Sequence, residues 1–273
     1  MHIIRFYDDT GKICYGNKHQ DETVTVLQGR FFDDFQDTGT PVKVKKLLAP
    51  LQPAAILGIG QNYHQHVSET GMQLPKHPAL FMKNPGALAH PDDPIVLPNS
   101  CMEPMQVDYE AELAVVIGRT AKNVRAANAL DHVAGYTIAN DVSARRWQKH
   151  AGGGQWVRGK SFDTFCPLGP GMVTADEIAD PQTLQIKSIL NKEIMQNANT
   201  SDMIFGVAEL IEYLSDSTSL LPGTVILTGT PSGVGYVRKP PVYLKPGDTI
   251  EIEIERIGNL TNTVAAEKRE EHE

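Results

Sequence analysis

Two glutamates stand two residues apart in "VDYEAELAVVIG", residues 107–118, a run otherwise apolar enough to be a buried strand. Side chains alternate faces along a strand, so Glu110 and Glu112 would leave it on the same side and share one environment. Paired carboxylates repel, and a buried one is too costly to stay ionised unless a cation or strong donors meet it. An edge strand with its polar face in water would need no such partner. A third carboxylate, Asp141 in "GYTIANDVSARRWQ", ends a strand-like run just before a helix-like one. It fits a helix N-cap as well as a third oxygen ligand. Three carboxylates completed by water make a hard, oxygen-rich site, and that chemistry selects Mg2+ or Mn2+ over zinc.

A base is offered by "NYHQHVSETG", which follows an apolar strand-like run ending at Ile59. If it is helical, His66 and Glu69 are three apart on one face, where the carboxylate can orient and polarise the imidazole. Such a dyad can deprotonate water; a surface His and Glu on a loop is the competing reading. In "GGGQWVRGKSFDTFCPLGP", Gly152, Gly153 and Gly154 suggest a movable loop leading to Lys160, a cation able to stabilise an enolate or bind a carboxylate unless it is merely solvated. "LTGTPSGVG" places Thr228 and Thr230 after a strong strand, followed by a glycine-rich turn whose amides are either free to meet an anion or simply turn the chain.

The elements that must position these residues are mostly strands. "AELAVVIG", "GYTIAND", "LQIKSILN", "TVILTG" and "DTIEIEIERIG" all have strand patterns, the last alternating Ile250, Ile252 and Ile254 with Glu251, Glu253 and Glu255. Helices are few and short, expected around "RAANALDHVAG", "SARRWQKH" and "VAELIEYLSDS". With "KPGD" and "LPGT" turns between strands, the pattern predicts a β-rich α+β roll or sandwich, since strands and helices do not alternate as a doubly wound sheet requires. Residues 1–52, with "HIIRFYD", "KICYG" and "TVTVLQG", suggest a small N-terminal β appendage. Residues 53–265 form the expected main domain, and 266–273 a solvated tail.

The chain has 273 residues, 41% of them hydrophobic, enough for one substantial core. Its formal net charge of -8 and lack of a long basic run give no footprint for nucleic acid or an anionic membrane. The opening "MHIIRFYDDTGK" has no signal-peptide pattern, and no run approaches the roughly 18 apolar residues of a membrane span, so a cytoplasmic location is expected. Cys14, Cys101 and Cys166 lack metal-site spacing and are expected to be reduced thiols.

Seven segments, "GIGQNYHQHVSE", "ALFMKNPGAL", "VDYEAELAVVIG", "GYTIANDVSAR", "GKSFDTFCPLGP", "LTGTPSGVG" and "LKPGDTIEIEIE", resemble in order the motifs of the fumarylacetoacetate hydrolase superfamily. The second half looks closest to the branch that includes the fumarylacetoacetate hydrolase domain-containing proteins. The resemblance implies the family's mixed β-sandwich roll and a homodimer. It also implies a divalent metal, Mg2+ or Mn2+, on Glu110, Glu112 and Asp141, and a catalytic dyad of His66 and Glu69 on a lid with Lys160 beside the metal. It assigns Gln148, Thr230 and Lys83 to the substrate. Arg146 departs from the usual pattern, which has Asp there.

The implied substrate is a small 2-oxo acid, and the leading expectation is hydrolysis of the C–C bond of a 2,4-dioxo acid. The alternatives are keto-enol tautomerisation or decarboxylation of oxaloacetate, or a 2-hydroxyhepta-2,4-diene-1,7-dioate-type isomerisation. A protein that kept the fold but only bound small molecules would be expected to lose a ligand or the dyad; all are present.

Overall fold

The computed structural model describes residues 1–151 and 153–268. The expected tail therefore lies largely outside the described residues, as does Gly152. Ala266 still ends the strand Gly258–Ala266, and Glu267 bonds back to the chain through its amide on the Leu97 carbonyl at 3.0 Å. The tail thus begins later than the sequence suggests, because these residues find backbone partners.

Two twisted sheets carry the fold. In the larger, Cys166–Thr174, Val133–Asn140, Ala111–Ile117, Thr224–Leu227, Ala55–Gly60 and Ala79–Lys83 lie side by side in that order. The second runs Glu193–Asn199, Gln185–Leu190, Thr249–Ile254, Gly258–Ala266 and Ile95–Leu97. Ala111–Ile117 is buried along its whole length, as a continuous apolar run covered on both faces should be. In Thr249–Ile254 the isoleucines are buried and alternate with more exposed residues, the half-buried pattern.

The strands of the first 50 residues, the expected N-terminal appendage, continue the large sheet at one side. His2–Tyr7 pairs antiparallel with Cys166–Thr174, Ile3 opposite Met172, and further N-terminal strands extend the sheet outward. Ile4, Phe6 and Val24 make a small cluster of their own there.

Helices are short, as expected. Val207–Ser215 buries Val207, Leu210, Ile211 and Leu214, the spacing of one helical face. "RAANALDHVAG" forms only a helical turn at Ala126–Ala129 and a tighter one to His132 before the strand from Val133 takes over. "SARRWQKH" departs further: Ser143–Ala144 pair as a strand and Trp147–Ala151 form a π-helical turn. Among the described residues no helix is long and apolar enough to cross a membrane.

Candidate active site

The register of two strands brings the three carboxylates together. Ala111 stands opposite Asn140 in the antiparallel ladder, and one step beyond, the Asp141 amide donates to the Glu110 carbonyl at 2.9 Å. "VDYEAELAVVIG" is not one strand, however. Val107–Asp108 pairs with Ser143–Ala144 in a separate ribbon, and Glu110 lies at the break before Ala111–Ile117. Its carboxylate still converges with that of Glu112: Glu110, Glu112 and Asp141 each offer an oxygen within 4.8 Å of the others. They are 5%, 1% and 0% exposed, so water does not neutralise them.

Cations meet two of the three. Lys160 Nζ donates to Glu110 Oε2 at 2.7 Å and to Asp141 Oδ2 at 2.5 Å. Arg145 reaches Glu110 Oε1 at 2.6 Å. Burial opposes ionisation of Glu110, but Lys160 and Arg145 outweigh it and hold the carboxyl far below its usual range. Glu112 goes the other way: burial, then Asp141 and Glu110, push it well above the usual range, and among the described residues only the Gly229 amide donates to it, on Oε2 at 2.7 Å. Buried negative charge on an all-oxygen donor set, incompletely offset, fits a hard dication. The N-cap reading of Asp141 falls away, since both its oxygens accept from lysines.

Lys83, assigned to substrate from the sequence, stands elsewhere. Its ammonium is fully buried behind the triad, donating to Asp141 Oδ1 at 2.5 Å and to the Val142 carbonyl at 3.3 Å, and it does not line the cavity. On the strand Ala79–Lys83 it points into the protein, where its role is to hold an aspartate.

The helix His64–Thr70 carries the dyad and ends at Gly71, whose φ of +67° closes a left-handed C-cap. His66 Nδ1 is 2.7 Å from Glu69 Oε1, and Glu69 also receives the Gly233 amide on both oxygens, at 3.1 and 2.9 Å. A carboxylate so placed accepts a hydrogen bond from Nδ1–H, keeping the proton on Nδ1 and leaving Nε2 with the free lone pair. The helix is docked from below by Asn62. Its side chain donates to the Phe205 and Thr228 carbonyls at 2.9 and 2.8 Å and accepts from the Phe205 amide at 2.9 Å.

The turn amides of "LTGTPSGVG" do meet anions, but these belong to the protein. Gly229, at a φ of +99° open chiefly to glycine, serves Glu112, and Gly233 serves Glu69. Gly235 and Tyr236 serve Asp108, at 2.8 and 3.0 Å. Asp108 in turn holds Arg145 through Nε at 2.9 Å. One loop thus fixes the metal-type site, the dyad and the arginine. Arg146 points away, donating to the Glu103 carbonyl at 2.8 Å, so the departure from the usual Asp does not reach the cavity.

A cavity of about 310 Å³ joins these parts, lined by His66, Glu110, Glu112, Lys160, Gln148 and Thr230 together with Lys149 and Tyr236. Gln148 accepts from Arg145 at 3.1 Å. Thr228 is spent on the Leu113 carbonyl at 2.9 Å. Thr230 is oriented by Gln196, which the sequence does not single out. The Gln196 carbonyl oxygen accepts from the Ala111 amide at 3.0 Å, and its NH2 donates to the Pro231 carbonyl at 2.8 Å and to Thr230 Oγ1 at 2.7 Å. An amide N–H can only donate and a carbonyl only accept, so the Gln196 amide has a single consistent orientation. Thr230 must accept from it, and its own proton is left to donate into the cavity.

Comparison with known proteins identifies the family. Residues 55–265 match the family model described as "Fumarylacetoacetate (FAA) hydrolase C-terminal", and residues 1–50 match "Rv2993c-like, N-terminal". The chain belongs to the fumarylacetoacetate hydrolase family. Among relatives of this fumarylacetoacetate hydrolase family member, the bovine (Bos taurus) protein named "Oxaloacetate tautomerase FAHD2A, mitochondrial" is 50% identical over 80% of this chain and 68% of its own length. A 2-hydroxyhepta-2,4-diene-1,7-dioate isomerase from Mycobacterium marinum superposes with a TM-score of 0.83 at 38% identity, covering 98% of this chain and all of that one. A fumarylacetoacetate hydrolase from Exiguobacterium antarcticum gives 0.87 at 36% identity over the same shares. The family is thus one of enzymes with several reactions on one fold.

Proposed function

We propose that this enzyme interconverts the keto and enol forms of oxaloacetate, or of a 2-oxo diacid of similar size, with Mg2+ or Mn2+ held by Glu110, Glu112 and Asp141. The observation that carries the reading is a base of fixed tautomer, His66 held by Glu69, facing one small cavity with the Lys160 ammonium and the triad carboxylates Glu110 and Glu112. The name of the 50%-identical bovine relative favours this reaction over the C–C hydrolysis expected first from the sequence.

Bound there, the dication supplies Lewis acidity toward the substrate's 2-oxo and neighbouring carboxylate oxygens. The residues do the rest. His66 Nε2 takes a proton from C3, and Glu69, held by the Gly233 amide, stabilises the imidazolium that forms. Lys160 and the Thr230 hydroxyl offset negative charge as it moves onto the C2 oxygen. Return of the proton to that oxygen gives the enol, and return to C3 restores the ketone. No carbon–carbon bond breaks and no water is consumed.

His66→Gln tests the base. Loss of general-base catalysis is worth about 10²–10⁴-fold, so kcat is expected to fall at least about a hundredfold while oxalate, a planar dianion that needs no proton transfer, still binds within about threefold. Enolisation within twofold of the wild type would remove His66 from the reaction.

A further inference from the structure

The cavity-lining cations differ in what already neutralises them. Lys160 is spent on Glu110 and Asp141, and Arg145 on Asp108 and Glu110. Lys149 lines the same cavity, and among the described residues it has no carboxylate within ion-pair reach. What holds it is an aromatic face: its Nζ sits 3.6 Å from the centre of the Tyr236 ring, with Arg145 also against that ring at 4.4 Å. Burial and the neighbouring Arg145 lower its pKa, outweighing the attraction of Asp108 and Glu110.

Placement adds to charge. Gln148, the residue before Lys149, and Tyr236 both line the cavity, and the Tyr236 amide is fixed on Asp108 at 3.0 Å. Lys149 itself is exposed at the rim, while Glu112 and Lys160 are buried at the floor. A ligand engaging the floor with one end presents its other end toward Lys149.

We propose that Lys149 is the specificity residue of the cavity, pairing with the distal carboxylate of a substrate whose other end, a 2-oxo acid group, occupies the floor. The inference rests on the proposed function for the diacid substrate and adds the residue that reads its distal charge, so that a neutral-tailed oxo acid is the poorer fit. Tyr236 acts as the support that holds the ammonium at the rim by its ring face.

The test uses two inert four-carbon ligands, 2-hydroxysuccinate and 2-hydroxybutanoate, which differ only in a distal carboxylate against a methyl. Dissociation constants are measured by calorimetry in Mg2+ for the wild type, Lys149→Met and Lys149→Arg. The wild type is expected to prefer the diacid by about tenfold, the scale of one charge-assisted contact. Lys149→Met reduces that ratio to near one, and Lys149→Arg keeps most of it. Equal weakening of both ligands by Lys149→Met would show a packing role, and an unchanged preference would place the distal carboxylate elsewhere; either overturns the proposal. A Lys149-dependent diacid preference in a protein that fails to enolise oxaloacetate would uphold Lys149 and reject the tautomerase reading.

Discussion

At Glu112 a carboxylate only 1% exposed receives a single backbone amide, that of Gly229, while Asp141 and Glu110 crowd it with like charge. Glutamine is nearly isosteric, can still accept from that amide and adds donors toward its acidic neighbours. Glu112→Gln is therefore expected to stabilise the metal-free protein by about 1–2 kcal/mol in urea, while abolishing the rise in melting temperature expected when Mn2+ binds the wild type. A less stable metal-free variant, or an undiminished Mn2+ response, would contradict this charge account. A second prediction concerns Gln196 and Thr230. If Gln196 acts on ligand by fixing the Thr230 proton, Thr230→Val and Gln196→Leu will be non-additive in oxalate affinity, with a coupling of about 1 kcal/mol in a double-mutant cycle; additive losses would separate the two residues. The ionisable members of the site were legible because glutamates, a histidine and a lysine beside apolar or glycine-rich runs call for an explanation. Gln196 and Asn62 were not, because neutral amides look like ordinary surface residues until their distant partners are known; Asn62 meets Thr228 across 166 positions. Lys83 was assigned to the substrate by resemblance, and its place behind the triad was not legible, since the motif does not tell which side of Asp141 the side chain approaches.

The segment joining the strand Ala55–Gly60 to the helix His64–Thr70 determines whether the dyad reaches the cavity, and Asn62 is its anchor. Three hydrogen bonds of the buried Asn62 side chain tie it to Phe205 and Thr228. Asn62→Ala is expected to cost about 2–4 kcal/mol, from roughly 1 kcal/mol per lost bond plus the groups left unpaired. The urea midpoint should drop at constant m-value, and kcat should fall more than oxalate affinity, because the helix bearing His66 loosens while the carboxylate triad stays in place. A loss confined to stability would separate Asn62 from the dyad. Strands with clear patterns, such as Thr249–Ile254, were legible to within a residue or two. The break in "VDYEAELAVVIG" was not, because it comes from Val107–Asp108 pairing with Ser143–Ala144, a partner that local periodicity does not register. The short helices were overread for a related reason: "RAANALDHVAG" and "SARRWQKH" have helical residue types, but adjoining strands claim their ends.

Across the whole molecule, the strand-rich roll followed from turn spacing and alternation, whereas the place of the first 50 residues depended on His2–Tyr7 joining Cys166–Thr174, a pairing no local pattern encodes. That continuous framework brings together the triad at the ends of its strands, the dyad from its helix and Lys160 from a short helical turn, with "LTGTPSGVG" donating amides to carboxylates of the triad and of the dyad. On the proposed function, this assembly moves a proton at C3 without cleaving carbon–carbon bonds. Proton NMR of the purified protein with Mg2+, following oxaloacetate and an acylpyruvate in parallel against enzyme-free controls, tests this. Keto-enol exchange of oxaloacetate is expected to accelerate well above the control, with its carbon skeleton intact and the acylpyruvate uncleaved. Pyruvate and the matching acid appearing from the acylpyruvate, with oxaloacetate exchange at the control rate, would contradict it and make water activation the work of His66.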